Sequence, residues 1–366
     1  MRVLFITRKY PPQIGGMENL SYNITRGIKC NKKIVALTKR QIHLLWFIPY
    51  CLLYTLLTLR KWDIIHLGDP VLSIVGYFAK LFSPQKPVIV TIHGLDVTYK
   101  NPLYQWYLNL FCKKFDSYIC ISRYAEKMAN KIGITRTKVI PVGIDINKFD
   151  NIVPNKQGLK EKYKIPRENL IMITVGRLVR RKGVLWFLDN VMPFLKNEKV
   201  SYLIIGTGED KEKILDKIRE KDLEKNVKYL GRVSDEDLME IYKSSDIFVM
   251  PNIKVKGDME GFGIVALEAS LAGLILIASD LEGIKDAVIN EENGYLVKSG
   301  ESQQFIEKIK DVINNYEKYE GFKKNSILYT KSKYNWERIC NQYKKEFEKV
   351  YVRRRVNETN HTNTML

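Results

Sequence analysis

Apolar residues along this chain fall into short unbroken runs, and mostly polar stretches of helix length lie between them. In the first half the runs are 2–7 (RVLFIT), 33–38 (KIVALT), 63–68 (DIIHLG), 88–93 (VIVTIH), 117–121 (SYICI) and 138–142 (KVIPV). Runs that stay apolar, instead of alternating with polar residues, are the pattern of strands covered on both faces, as in a parallel sheet with helical crossovers. The pattern lapses between Asp145 and Pro166, a stretch that reads as an interdomain linker. It resumes at 170–176 (LIMITVG), 202–206 (YLIIG), 227–230 (VKYL), 246–250 (DIFVM), 274–278 (LILIA) and 294–297 (GYLV), with helices predicted near 183–195, 210–220, 235–244 and 261–272. A helical segment near 335–352 closes the chain, and the polar tail 353–366 is expected to be disordered. The prediction is an α/β protein of two doubly wound halves, with a ligand cleft between the carboxyl ends of their strands.

Segment 43–59 (HLLWFIPYCLLYTLLTL) departs from this alternation. It holds no Asp, Glu, Lys or Arg, is apolar nearly all round, and is flanked by Lys39, Arg40, Arg60 and Lys61. An amphipathic surface helix would show a polar face. A buried crossover helix is the leading expectation, a membrane-dipping helix with cationic flanks is second, and a true span is third because the run is short and contains Pro49.

Composition sharpens the division into halves. The chain has 366 residues, enough for two domains with their own cores, and a formal net charge of +19. Of its 60 Lys+Arg and 41 Asp+Glu, residues 1–150 hold 22 and 8, which leaves 38 and 33 for the remainder. The basic excess therefore belongs to the first half, where it suits an anionic membrane surface or phosphorylated ligands. Nucleic acid is not expected as a partner, since no binding motif or basic–aromatic platform is present. Five scattered cysteines form no Cys-x-x-Cys pair and read as reduced thiols. The N-terminus runs straight into a strand without a leader's layout, and a cytoplasmic protein is expected.

The densest candidate chemistry is Asp258–Gly273, DMEGFGIVALEASLAG. If Gly261 and Gly263 start a helix, Glu260 lies at its mouth and Glu268 two turns deeper, and the first-turn N–H groups are free to hold an anion. Glu268 sits in an apolar run, where a carboxylate needs a partner. In TVGRLVRRKG (174–183), Arg177 and Lys182 follow a strand end, placed to neutralise a diphosphate. Gly15 and Gly16 after the first strand allow close backbone approach to a phosphate. Gly206 belongs to IIGTGE, which has two of the three glycines of a dinucleotide fingerprint, and NAD is disfavoured. His93 closes the strand VIVTIH at its carboxyl end, and His66 ends the neighbouring run as a weaker candidate. Asp235-Glu236-Asp237 follows Ser234 and reads as a capped acidic helix start, not a metal pair.

Together, YPPQIGGMENL, TIHGLDV, PVGID, TVGRLVRRKG, GTGE and PNIKVKGDMEGFGIVALEA resemble glycosyltransferase family 4, the large retaining GT-B family, over nearly the whole chain. The resemblance implies a GT-B fold: two Rossmann-like domains facing across a central cleft. An acceptor-binding domain is expected at 1–155, with the helix near 335–352 packing back on it, and a nucleotide-sugar-binding domain at 156–334. By position it implies that Arg177 and Lys182 grip a diphosphate, with Gly15 and Gly16 backing it. Gly206 would join the donor site. Glu268 would bind the ribose, and Glu260 with Gly261, Phe262 and Gly263 the donor sugar. His93 would bond the sugar near the reacting carbon. The donor would be a UDP- or GDP-linked sugar, with no cofactor and no metal. The implied activity is retaining transfer to a lipid-linked or cell-surface glycan, peripheral at the inner face of the cell membrane. A soluble enzyme making a small glycoside or storage polysaccharide is the alternative.

Overall fold

The structure, a computed structural model, describes residues 1–13 and 15–363. It divides into two compact units, Met1–Gly143 together with the chain from Trp336 onward, and Ile144–Asn335.

The first unit is built on strands β1 (Arg2–Thr7), β2 (Asn31–Ala36), β3 (Ile64–Leu67), β4 (Val88–Ile92), β5 (Ser117–Cys120) and β6 (Thr137–Val139), all parallel in the order β2-β1-β3-β4-β5-β6. Its helices are α1 (Gly16–Gly27), α2 (Leu44–Thr58), α3 (Ser73–Phe82), the short α4 (Leu95–Thr98), α5 (Pro102–Phe111) and α6 (Arg123–Lys131). Every residue of β3, β4 and β5 is buried, which is why these strands read as unbroken apolar runs. Local chemistry sets the helix starts. Asn101 caps α5 by accepting from the Tyr104 N–H at 3.1 Å, with Pro102 at the first position, and Ser122 caps α6 by accepting from the Ala125 N–H at 3.0 Å. The chain steps outward from β1 to β2 and then crosses back to β3, so the strand order reverses between β1 and β3.

The second unit repeats the plan. Strands β7 (Leu170–Val175), β8 (Val200–Ile205), β9 (Val227–Gly231), β10 (Ile247–Met250), β11 (Ile275–Asp280) and β12 (Tyr295–Lys298) form a parallel sheet in the order β12-β11-β10-β7-β8-β9, with the reversal between β7 and β10. Helices α7 (Lys156–Lys162), α8 (Val184–Asn190), α9 (Lys211–Glu220), α10 (Asp235–Ser244), α11 (Ile264–Ala272), α12 (Ile284–Ala287), α13 (Ser302–Asn314) and α14 (Glu320–Tyr334) cover it. Phe187, Tyr202 and Phe305 centre the core on one face, with ring centroids 5.3 and 5.9 Å from Phe187. The last helix, α15 (Trp336–Asn363), belongs to the first unit and packs on α1.

Four expectations change here. The stretch 145–166 is not a bare linker: it belongs to the second unit and contains α7, capped by Asn155 accepting from the Gly158 N–H at 3.0 Å. The tail from Arg353 continues α15 as helix to Asn363, because nothing in that polar sequence breaks it, while 364–366 lie outside the described residues. The α11 helix begins at Ile264, later than Gly261. Gly263 caps it in the left-handed region at φ 89°, so Gly261 and Phe262 lie in the preceding loop and Glu268 comes only about one turn in. Segment 43–59 does form the crossover helix α2, but it is not a buried one. Phe47, Cys51, Thr55 and Leu59 face inward, while Leu45, Trp46, Tyr50, Leu53 and Leu57 stand exposed.

Candidate functional site

In the second unit the polar side chains gather at the carboxyl ends of β7, β10 and β11, at the strand-order reversal. Glycines make this approach possible. A Cβ on Gly206 would lie 1.9 Å from the Gly176 carbonyl oxygen, and one on Gly208 would lie 2.1 Å from that of Leu178. The two loops therefore run backbone against backbone, joined by the Leu178 N–H to the Thr207 carbonyl at 2.8 Å. Gly183 holds φ 69°, and its Cβ would lie 1.8 Å from the Pro251 carbonyl, so the turn Arg180–Lys182 sits directly against the end of β10.

That turn delivers two cations to one carboxylate. Lys182 Nζ lies 2.6 Å and Arg181 Nε 3.7 Å from Glu260 Oε2, while Arg181 Nη1 reaches Asp258 Oδ2 at 3.1 Å. Asn252 Nδ2 donates to the same Glu260 oxygen at 3.1 Å, and the Glu260 N–H donates to Glu282 at 2.7 Å. Burial pushes the Glu260 carboxyl upward, but the Lys182 ammonium and the Arg181 guanidinium outweigh it and hold the group below its ordinary range. Glu282 moves the other way, raised first by burial and further by the Glu260 and Asp258 charges, against the Glu260 N–H. Two buried polar atoms here, Arg181 Nε and Asn252 Oδ1, find no hydrogen-bond partner among the described residues. Buried polar atoms are nearly always paired, so these two leave a donor and an acceptor unused beside Glu260.

The rest of the predicted donor set is placed around this centre. Arg177 is exposed just past β7 and makes no ion pair among the described residues, and the Lys182 side chain passes beside Gly176. Phe262 is buried, its ring 6.1 Å from that of Tyr334, so the loop Gly261–Gly263 presents backbone, not side chain. The Gly261 carbonyl lies 2.1 Å from where a Gly283 Cβ would be, which fixes that loop against the turn after β11. Glu268 stands apart from the Lys182–Glu260 pair: Lys148 donates to its Oε1 and the Tyr242 hydroxyl to its Oε2 at 3.2 Å. Arg181, Asn252, Glu282 and Lys148 escape the sequence reading. Arg181 stood in plain view within RLVRRKG, but only the Gly183 turn decides which of its cations face Glu260.

In the first unit, His93 is buried at the carboxyl end of β4 with Nε2 2.9 Å from the Gly68 carbonyl. A carbonyl only accepts, so Nε2 carries the proton and Nδ1 is left as an acceptor in the neutral ring. Asp96 fixes the loop by accepting from the His93 and Gly94 N–H groups at 2.9 and 2.7 Å. Gly15 and Gly16 are exposed at the start of α1, and a Cβ on Gly16 would meet nothing within 4 Å. His66 is structural: it bonds Thr91 Oγ1 at 2.9 Å inside a cage of Phe5, Tyr343 and Phe347. Ser234 caps α10 by accepting from the Asp237 N–H at 3.0 Å, which accounts for the acidic run beside it.

Paired Rossmann-like sheets with their polar groups at the strand ends are the architecture of GT-B glycosyltransferases, and the solved structures agree. HepE of Anabaena, solved with UDP-glucose, superposes with a TM-score of 0.76 over 95% of this chain and 100% of its own, at 19% identity. Residues 1–148 match Glycosyltransferase Family 4 and residues 155–328 match Glycosyl transferases group 1. The UDP-Gal:α-D-GlcNAc-diphosphoundecaprenol α-1,3-galactosyltransferase of Escherichia coli is 30% identical over 268 residues, 69% of this chain and 67% of that protein. The capsular polysaccharide biosynthesis glycosyltransferase CapM of Staphylococcus aureus is 28% identical, over 76% of each chain. The chain belongs to glycosyltransferase family 4 and is a glycosyltransferase that uses a nucleotide-sugar donor.

Proposed function

We propose that the protein is a retaining glycosyltransferase that moves a sugar from a UDP- or GDP-linked donor to a lipid-linked or cell-surface glycan at the cytoplasmic face of a membrane. The observation that carries this reading is the Lys182–Glu260–Arg181 cluster below the start of α11, with its unpaired Arg181 Nε and Asn252 Oδ1. Arg177, Arg181 and Lys182 supply positive charge for a diphosphate, the role that a metal plays in other transferases. Glu260 and the Gly261–Gly263 backbone take the sugar hydroxyls, and Glu268 takes the ribose. The first unit, taken by itself, offers backbone at Gly15 and Gly16 to a phosphate and His93 Nδ1 to a hydroxyl.

The chemistry follows from charge. As the bond from the anomeric carbon to the diphosphate oxygen breaks, negative charge grows on the leaving phosphate, and cations already in place stabilise it. The acceptor oxygen bonds to the same face of that carbon, and its proton passes to the departing phosphate oxygen. One Glu260 oxygen is held by Lys182 and Asn252, which fixes the orientation of the carboxylate toward the donor sugar. The Escherichia coli relative acts on a diphosphoundecaprenol-linked sugar and the Staphylococcus aureus relative serves capsular polysaccharide biosynthesis, which supports the acceptor class.

The test is transfer from a panel of UDP- and GDP-sugars to a diphosphate-lipid-linked saccharide in EDTA, with the product's anomeric coupling read by proton NMR. Retained configuration with undiminished rate in EDTA is expected. An inverted product overturns the retaining reading, and full loss in EDTA overturns the metal-independent one.

A further inference from the structure

We propose that α2 and α5 form a face on which the first unit lies flat on an anionic lipid bilayer. The proposal deepens the membrane part of the function above and rests on it only for which bilayer is meant. The surface itself stands on independent observations.

On α2 and the single turns that extend it from Gln41 to Lys61, the outward positions recur at helical spacing as Ile42, Trp46, Tyr50, Leu53 and Leu57, with Trp46 79% exposed and Leu57 74% exposed. An outward stripe of this kind on an ordinary surface helix would be polar. On α5, Leu103, Trp106 and Leu110 recur the same way, also exposed. The two helices belong to one layer, each packed against α3 between them. Two apolar stripes on one helical layer exceed the scattered exposed side chains of a typical surface.

Charge selects the occupant. Lys39 and Arg40 precede α2, Arg60 and Lys61 follow its last full turn, and Lys113 and Lys114 follow α5, all exposed. Favourable interaction with helix carboxyl ends accounts for cations after a helix but not for the pair before α2. Between Leu37 and Phe115 the acidic residues are Asp63, Asp69 and Asp96. Asp63 is paired with Arg2, Asp69 is buried against Arg8, and Asp96 accepts from the His93 and Gly94 N–H groups. The layer thus offers apolar side chains and cations without a free carboxylate, which matches acyl chains bordered by anionic headgroups.

Topology excludes a span. The α2 helix joins β2 to β3 within one sheet, and Phe47, Cys51, Thr55 and Leu59 bind its inner side to the unit. Its leading turn is pinned as well, since Gln41 accepts from Arg8 Nη1 at 2.9 Å and donates to the Arg8 carbonyl at 3.0 Å. The helix therefore lies in the interface plane.

The full chain, without donor or acceptor, is floated with vesicles of pure phosphatidylcholine and of phosphatidylcholine with 30% phosphatidylglycerol, taking about that anionic fraction to mimic a charged leaflet. Expected is binding to the anionic vesicles only, weakened by salt, with tryptophan emission quenched by lipids brominated near the headgroup. Trp46→Ser/Leu53→Ser and, separately, Leu103→Ser/Trp106→Ser should each lower the bound fraction about tenfold, with unchanged melting temperature and unchanged nucleotide-sugar binding, because the substituted side chains are exposed. Absence of binding to anionic vesicles overturns the proposal. So does a concentration-dependent dimer, lost in the same variants, which assigns the face to a second copy. If vesicle binding holds while no nucleotide sugar binds, the transferase reading fails and this surface stands.

Discussion

At the residue scale the consequential contact is Lys182 on Glu260, a buried carboxylate held ionised by cations on a neighbouring turn. Truncating one partner of such a pair leaves the other unpaired, which costs about 3–5 kcal/mol where burial is complete. Lys182→Ala is predicted to lower kcat/KM by about 10²–10³-fold, the usual loss for one transition-state donor, and to lower thermal stability as well. Steady-state kinetics with melting curves check both. Because the Glu260 carboxyl titrates below its ordinary 4.5 in the fold, its stabilisation is complete above that pH and fades as pH falls through the folded value. Glu260→Gln should lack this acid-side loss. His66 contributes with a different origin. Burial among aromatic rings lowers its pKa from 6.5 to about 3, so the unfolded chain takes up the proton first and stability falls as pH drops from 6.5 toward 3. The slope is about 1.4 kcal/mol per pH unit below pH 6, and His66→Gln, which keeps a hydrogen-bonding side chain, should abolish it in urea melts across that range.

At the scale of elements, the site depends on turns that only glycine can make. Gly183→Ala puts a Cβ 1.8 Å from the Pro251 carbonyl at φ 69°, so the Arg180–Lys182 turn must move and carry Arg181 and Lys182 away from Glu260. A loss of about 1–3 kcal/mol and a steep fall in activity are expected. Gly16→Ala meets open space and should leave stability within about 0.5 kcal/mol. Calorimetry on the two variants side by side checks the contrast. The same elements show what the sequence made legible. Strands buried on both faces announced themselves as unbroken apolar runs, and the observed strand ends fall within about two residues of the predicted ones, the usual uncertainty, except at β6, which stops at Val139, short of the predicted 142. The start of α11 was misjudged because Gly261 and Gly263 look alike as helix openers, whereas only Gly263 adopts the left-handed cap. Glu268 was legible as a carboxylate in need of a partner, but Lys148, 120 residues away in sequence, was not.

At the scale of the whole molecule, two doubly wound sheets with chain reversals at β1/β3 and β7/β10 place polar groups where such folds bind ligands. Six of the 22 Lys and Arg in residues 1–150, namely Lys39, Arg40, Arg60, Lys61, Lys113 and Lys114, are exposed at the ends of α2 and α5. That surface was not legible as exposed. A helix apolar all round carries the same letters whether a neighbour covers it or not, and only the packing of Phe47, Cys51, Thr55 and Leu59 shows which side is covered. In the proposed function the second unit holds a nucleotide sugar around Glu260 and Glu268. It is tested most directly by thermal shift with UDP-, GDP- and ADP-sugars on the wild type and on Glu268→Ala. A UDP- or GDP-sugar is expected to raise the wild-type melting temperature and to have little effect on the variant. Stabilisation by none of them, or an equal response in Glu268→Ala, would contradict it.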